Sequence, residues 1–217
     1  MIIGIDFSLN NAAMTILNND VLKFYAFPNT QKMYTKKKEV HSDFLIYDKF
    51  DTETIATIIP YNRDNKFENY QHEQQYKLFK AHELSQNIID VINNNIEEKC
   101  IIGLEGFSYG SKGSSQIDLV FFNAILRYKI LTIKNTELII LAPKTIKRFA
   151  GNGNADKHVM LNAFKNIKND ILTETEFYKY LMSTNDYVKG KNHEIANPIT
   201  DIVDSYWIIR YLKETIK

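Results

Sequence analysis

Two hydrophobic segments of this 217-residue chain carry an acid at or near their ends, and a third, helical in pattern, carries two more. Asp6 lies inside IIGIDFS, and Glu105 closes CIIGLE. A carboxylate in such company is costly to desolvate unless it is paired, protonated or bound to a cation. If the two segments are neighbouring strands, their acids repel each other unless a cation lies between them. Near the C-terminus, ITDIVDSYWIIRYL sets Asp201 and Asp204 three positions apart, on one helix face. Ile208 and Tyr211 continue that face, while Ile199, Val203 and Tyr206 define the opposite side. A helix apolar nearly all round packs on more than one side, so these aspartates are not expected to stand free in solvent. Singly, each acid has an ordinary explanation, Asp6 capping a turn or Asp201 satisfying the amides of a helix start. Four acids placed on two strand ends and one packed helix point instead to a shared cation site. Hard carboxylate oxygens suit Mg²⁺ or Mn²⁺ rather than zinc. Two such ions about 4 Å apart activate a water and stabilise the leaving oxygen in phosphodiester hydrolysis.

Positioning those acids requires a particular order of elements. Residues 1–27 read as three short strands, MIIGIDFS, NAAMTIL and VLKFYAF, with NN and NND as turns, which demands antiparallel hairpins. The segment 28–71 reads as an elaboration at the sheet edge, with possible strands DFLIY and TIATIIPY. From His72 to Asn95, the residues Leu78, Ala81, Leu84, Ile88, Val91 and Ile92 form one apolar helical stripe. The strand CIIGLE follows, then the glycine- and serine-rich loop GFSYGSKGSS, then a helix over 115–131. A further strand, ELIILAP, leads through KTIKRFAGNGNADK to a helix starting near Ala155. The last helix spans 198–213, with Pro198 in its first turn. The pattern predicts an α/β fold with a mixed, five-stranded central sheet, three antiparallel strands then parallel ones, covered by helices on both faces. No repeat or low-complexity linker divides it, so one domain over 1–217 is expected, elaborated at about 28–71.

Composition narrows the chemistry. The single cysteine, Cys100, precludes an intramolecular disulfide and a thiolate cluster, and no two of the five histidines have metal-ligand spacing. No apolar run reaches the ~18–20 residues of a membrane span. The short apolar start lacks a basic leader, so a cytoplasmic protein with no membrane partner is expected. Net charge is only +1, but residues 142–168 hold six basic side chains (Lys144, Lys147, Arg148, Lys157, Lys165, Lys168) against Asp156. That stretch suits phosphate binding at one defined surface, and equally a solvated helix face.

Taken in order, IIGIDFSLNNAAMTIL, IIGLEGF, IKRFAGNGNADK and TDIVDSYWII resemble the RuvC-type Holliday junction resolvases of the RNase H-like superfamily, a phage-encoded member included. The resemblance spans most of the chain except 28–71. It implies that Asp6, Glu105, Asp201 and Asp204 bind two Mg²⁺ ions, with Mn²⁺ able to substitute. It also implies that Lys147 and Lys157 approach the phosphodiester backbone, Lys157 as part of the catalytic set, with Lys144, Arg148 and Lys112 on the same DNA-binding surface. Gly151 and Gly153 would turn the chain tightly and bring backbone amides to a phosphate, or simply join two helices. Family members place an aromatic shortly after the strand-end glutamate to stack on or wedge between bases. Here Phe107 and Tyr109 flank that position, which is Ser108. The family acts as two-fold dimers, and the 115–131 helix is apolar enough to pack against the sheet and its twin, or wholly within its own core.

The expected function is structure-selective cleavage of four-way DNA junctions, in a bacterial or phage-infected cell, by in-line attack of water without a covalent intermediate. An RNase H-like nuclease acting on flaps, other branched DNA or RNA is the alternative. An actin-like ATP-binding protein shares the GID start, but the chain is short for two lobes and holds no second copy of the motif. No P-loop motif is present.

Overall fold

The computed structural model describes residues 1–29, 42–62, 67–96, 98–107, 114–168, 170–189 and 193–216. The three opening strands form as their alternation requires: β1 (Ile2–Asp6), β2 (Asn11–Asn18) and β3 (Val21–Pro28). β1 pairs antiparallel with β2, and β2 with β3, across tight turns. Asn19 and Asp20, in the second turn, both take positive φ, which their short polar side chains tolerate.

The elaboration departs from expectation. DFLIY is not a strand; it belongs to helix α1 (Ser42–Thr52). Its Ile46, Tyr47 and Phe50 are all buried, at the three- and four-residue spacing of a helix face rather than the alternation of a strand. From TIATIIPY only Thr57–Ile58 becomes a strand, β4, parallel to β3, and Tyr61 bridges to Asn29. The sheet therefore has six strands rather than five, in the order β4-β3-β2-β1-β5-β6. In it, β5 (Cys100–Glu105) and β6 (Thr136–Leu141) run parallel to β1.

Strand alternation divides the core into two layers. Ile3, Ile5, Met14, Ile16, Ile102 and Leu104 face the helix pair α2 (Tyr70–Asn95) and α3 (Ser114–Leu131). The alternate residues face the other layer: α4 (Pro143–Ala150), α5 (Lys157–Lys165), the short α6 (Asp170–Thr173), α7 (Glu176–Ser183) and α8 (Ile199–Thr215). A small hairpin, β7 (Val188–Lys189) with β8 (Glu194–Ile195), precedes α8 and was not apparent from the sequence. The helix expected near Ala155 begins at Lys157, because Asp156 caps it by accepting from the Val159 N–H at 2.9 Å. Pro198 stands one place before α8, as its N-cap residue. Leu78, assigned to the buried stripe of α2, is 53% exposed, whereas Ala81, Leu84, Ile88 and Ile92 hold that stripe as expected.

The seat of α8 decides the geometry of everything else. Gly4 of β1 and Gly103 of β5 are direct partners in the sheet, and α8 lies on both. A Cβ on Gly4 would overlap the Ser205 carbonyl oxygen; one on Gly103 would overlap Ile208 and lie 2.7 Å from Leu212 Cδ1. The buried Thr15 and Ser205 hydroxyls share a hydrogen bond of 2.6 Å, tying α8 to β2 as well.

Gly4→Ala is expected to lower unfolding free energy by about 2 kcal/mol or more, since backbone rather than a yielding side chain must move. Denaturant titration reads this, with Gly153→Ala, whose Cβ would meet only the Lys144 carbonyl oxygen at 4.0 Å, as the mild comparison.

Candidate acidic centre

The register of the parallel pair places Asp6 and Glu105 side by side, because Ile5 stands opposite Leu104 and both acids follow. Both project onto the α8 side of the sheet, since Ile5 and Leu104 take the other. On α8, Asp201 and Asp204 share the face that continues to Ile208, the residue seated against Gly103. The helix thus carries its two aspartates to the two strand ends. Asp6 and Asp201 are each only 8% exposed.

Each acid feels the others. Burial raises Asp6 well above the usual carboxylate range, and the charges of Glu105, Asp204 and Asp201 add to it. The interaction between the Asp6 and Glu105 side chains raises Asp6 further and draws Glu105 down. Glu105 is raised by burial, with Lys147 pulling the other way. Burial lifts Asp201 to about 6 against the attraction of Lys157. Asp204 rises to about 7 through burial and then the charges of Glu105 and Asp201.

The predicted lysines flank this centre. Lys157, at the first turn of α5, reaches Thr200 Oγ1 at 3.0 Å and acts on Asp201 and Asp204. Lys147, on α4, acts on Glu105 and Asp204. Aromatic contacts hold both helices to α8: Phe149 meets Trp207 and Tyr211 edge-on, and Trp207 Nε1 donates to the Met160 carbonyl at 3.3 Å. Lys144 and Arg148 are exposed on α4, and nothing described brings them against the acids.

Other predicted residues stand differently. Gly151 closes α4, its N–H donating to the Lys147 carbonyl at 3.0 Å, and neither Gly151 nor Gly153 adopts a left-handed backbone. Phe107 lies half-buried under the Arg127 guanidinium, 4.8 Å from the ring centroid, a stacked pair the sequence did not suggest. Tyr109 and Lys112 lie outside the described residues.

The donor set fits a divalent cation: four carboxylates with hard oxygens, and Asp201 Oδ2 buried without a hydrogen-bond partner. Among the described residues, however, no three such side chains are gathered as tightly as an ion shell needs. Mutual repulsion between like charges is consistent with that spacing.

With this geometry in view, the chain has the RNase H-like fold, a mixed sheet of antiparallel then parallel strands flanked by helices. The structure of RuvC from Thermus thermophilus is similar over 98% of this chain and 95% of that one, with a TM-score of 0.51 and 10% sequence identity. In sequence, the chain matches no protein-family model and no curated protein. Among the described residues no helix is long and apolar enough to cross a membrane.

The raised acids make stability depend on pH. An unfolded aspartate loses its proton near 3.8, whereas Asp201 and Asp204 keep theirs to about 6 and 7 in the folded chain. Between those values the folded state binds more protons, so cation-free stability should fall as pH rises from about 4 to about 7. Melting curves with and without Mg²⁺ should then show a larger stabilisation at pH 8 than at pH 5, as the ion needs the ionised acids. Asp204→Asn should raise the cation-free melting temperature at pH 8 and remove most of the Mg²⁺ increment.

Proposed function

We propose that this protein is a metal-dependent endonuclease that cuts four-way DNA junctions. The observation supporting this most directly is the meeting of Asp6, Glu105, Asp201 and Asp204 at one end of the β1–β5 pair, in a chain with the fold of RuvC. Asp6, Glu105, Asp201 and Asp204 would hold two Mg²⁺ ions, for which Mn²⁺ substitutes. When bound, such ions activate a water and stabilise the leaving oxygen of a phosphodiester.

The chain's own residues supply the remaining roles. Lys157 and Lys147, whose charges reach the acids, would neutralise charge on the scissile phosphate. Lys144 and Arg148, exposed on α4, and the amides around Gly151 and Gly153 would meet the backbone farther out. Glycines there leave room for close approach by a phosphate, a Cβ on Gly153 having nothing nearer than the Lys144 carbonyl at 4.0 Å. Phe107, its ring held by Arg127, would stack against an unpaired base.

A second copy of the chain is the expected partner. On the face away from α8, α2 and α3 enclose an apolar groove of about 890 Å³, flanked by Leu78, Phe79, Phe121 and Tyr128. Phe79 is 62% exposed and Tyr128 71%, side chains that gain by burial against a twin. A two-fold dimer would suit the two symmetric cuts a four-way junction needs.

Synthetic four-way junctions, flaps, plain duplexes and RNA–DNA hybrids incubated with Mg²⁺ test the substrate. Preferred, paired incision of the junction is expected; preference for flaps or hybrids would favour the alternative nuclease reading, and equal cutting of duplex would count against a resolvase. Asp6→Asn should abolish cleavage by at least ~10³-fold while junction binding persists, a loss on the scale of removing major transition-state stabilisation. Phe79→Asp should shift sedimentation from dimer to monomer and uncouple the two incisions.

A further inference from the structure

The elaboration, the part of the chain outside the family resemblance, reaches the acidic centre through two tyrosines. Tyr47 of α1 donates its hydroxyl hydrogen to Asn11 Oδ1 at 2.8 Å, and Tyr61 donates to the Leu9 carbonyl. Both rings are buried. The Asn11 N–H is in turn bonded to Ser8 Oγ at 3.0 Å. The loop leaving Asp6 is therefore fastened by groups from the elaboration on one side and by its own serine on the other.

Asn11 occupies a telling place in the sheet. Asp6 stands opposite Ala13, so Asn11, two residues earlier on β2, is its diagonal neighbour beyond the end of β1. Ala12, Met14 and Ile16 face α2 and α3, which leaves Asn11, Ala13 and Thr15 on the α8 side with the acids. Tyr47 reports the same proximity, because the charge of Asp201 adds to burial in raising its hydroxyl. The hydroxyl consequently remains a donor.

An amide whose oxygen accepts that proton cannot turn over without losing the bond. Its nitrogen then has a fixed direction and two N–H donors, with no partner among the described residues, on a half-buried side chain. A neutral donor suits this position, where a lysine would be drawn onto the carboxylates. We propose that Asn11, held in one amide orientation by Tyr47, donates a hydrogen bond to a non-bridging phosphate oxygen of DNA lying across the acidic pocket. Tyr47 is a positioning residue, acting through Asn11. The inference rests on the nuclease reading and adds a substrate contact drawn partly from the elaboration.

Anisotropy of a labelled synthetic four-way junction, titrated with the full chain in Ca²⁺, tests it. Asn11→Ala should weaken binding about tenfold, the scale of a hydrogen bond to a charged group. Asn11→Asp keeps an acceptor for Tyr47 but loses both donors, and should weaken binding at least as much. Tyr47→Phe should cost about threefold in the wild-type background and nothing further beside Asn11→Ala. Melting temperatures of the same variants identify any that are misfolded. Wild-type affinity in Asn11→Asp would overturn the proposal, as would an equal loss from Tyr47→Phe in both backgrounds, which would make the tyrosine's role purely structural. Failure of the wild-type chain to bind any junction would instead defeat the nuclease reading, and this inference with it.

Discussion

Four carboxylates are held in a water-poor space by a helix with no freedom to withdraw. Desolvation raises each of Asp6, Glu105, Asp201 and Asp204, and their mutual repulsion works against their gathering. It persists because α8 is seated on Gly4 and Gly103, where no side chain separates helix from sheet. A larger residue at either position would lift the helix and carry the aspartates from the strand ends. The acids' arrangement is thus a consequence of two missing Cβ atoms, and the rest of the layer is built to keep it so. The Thr15–Ser205 bond fixes the helix along β2, while Trp207 and Tyr211 fix its outer side to α4 and α5. A site that opposes folding when empty of compensating charge is a common mark of function, since nothing in packing alone would retain it.

Among the described residues, opposite charge reaches the acids from two lysines. Lys147 and Lys157 offset part of the repulsion, yet Asp204 still rises to about 7. Their position matters more than their number, for the chain as a whole carries a net charge of only +1. Both belong to short helices bound to α8 by aromatic contacts, so the bases move with the acids they serve. Only part of the basic stretch 142–168 bears on the acids. Lys144, Arg148 and Lys168 are exposed with no described effect on the acids, whereas Lys147 and Lys157 act on them.

Much of this was legible in the sequence, for identifiable reasons. Alternation of apolar residues and short polar turns define β1 to β3, and the three-residue spacing of Asp201 and Asp204 puts them on one face whatever the tertiary structure. Acids inside apolar segments announce a cost that some interaction must offset. The elaboration was less legible because DFLIY has the composition of a strand, and only burial of Tyr47 and Phe50 three apart shows that packing against Phe177 and Tyr180 made it helical. Tertiary contacts overrode local preference there. Leu78 failed for the opposite reason: its spacing is that of a core residue, yet it lies on the groove side of α2, where apolar side chains face outward. The Arg127–Phe107 stack and the Tyr47–Asn11 bond join residues 20 and 36 positions apart with no motif between them, so no reading of spacing could find them.

The sixth strand shows how an insertion at a sheet edge acquires a role at its centre. β4 covers part of the open edge of β3, a useful service in itself, because an unpaired strand invites association. Two residues of strand would suffice for that, and the elaboration does more. α1 packs over the same edge through Ile46 and Phe50, which directs Tyr47 toward the end of the sheet where the β1–β2 turn lies. The strand order then does the rest: β3, β2 and β1 are neighbours, so a ring anchored beyond β3 reaches the start of β2, and through it the surroundings of Asp6. Tyr61 makes a second such crossing to Leu9. Hydrogen bonds from buried tyrosines restrict a loop at little entropic cost, because the rings are already fixed by packing. The edge of this sheet is therefore tied, through buried side chains, to the loop that leaves Asp6.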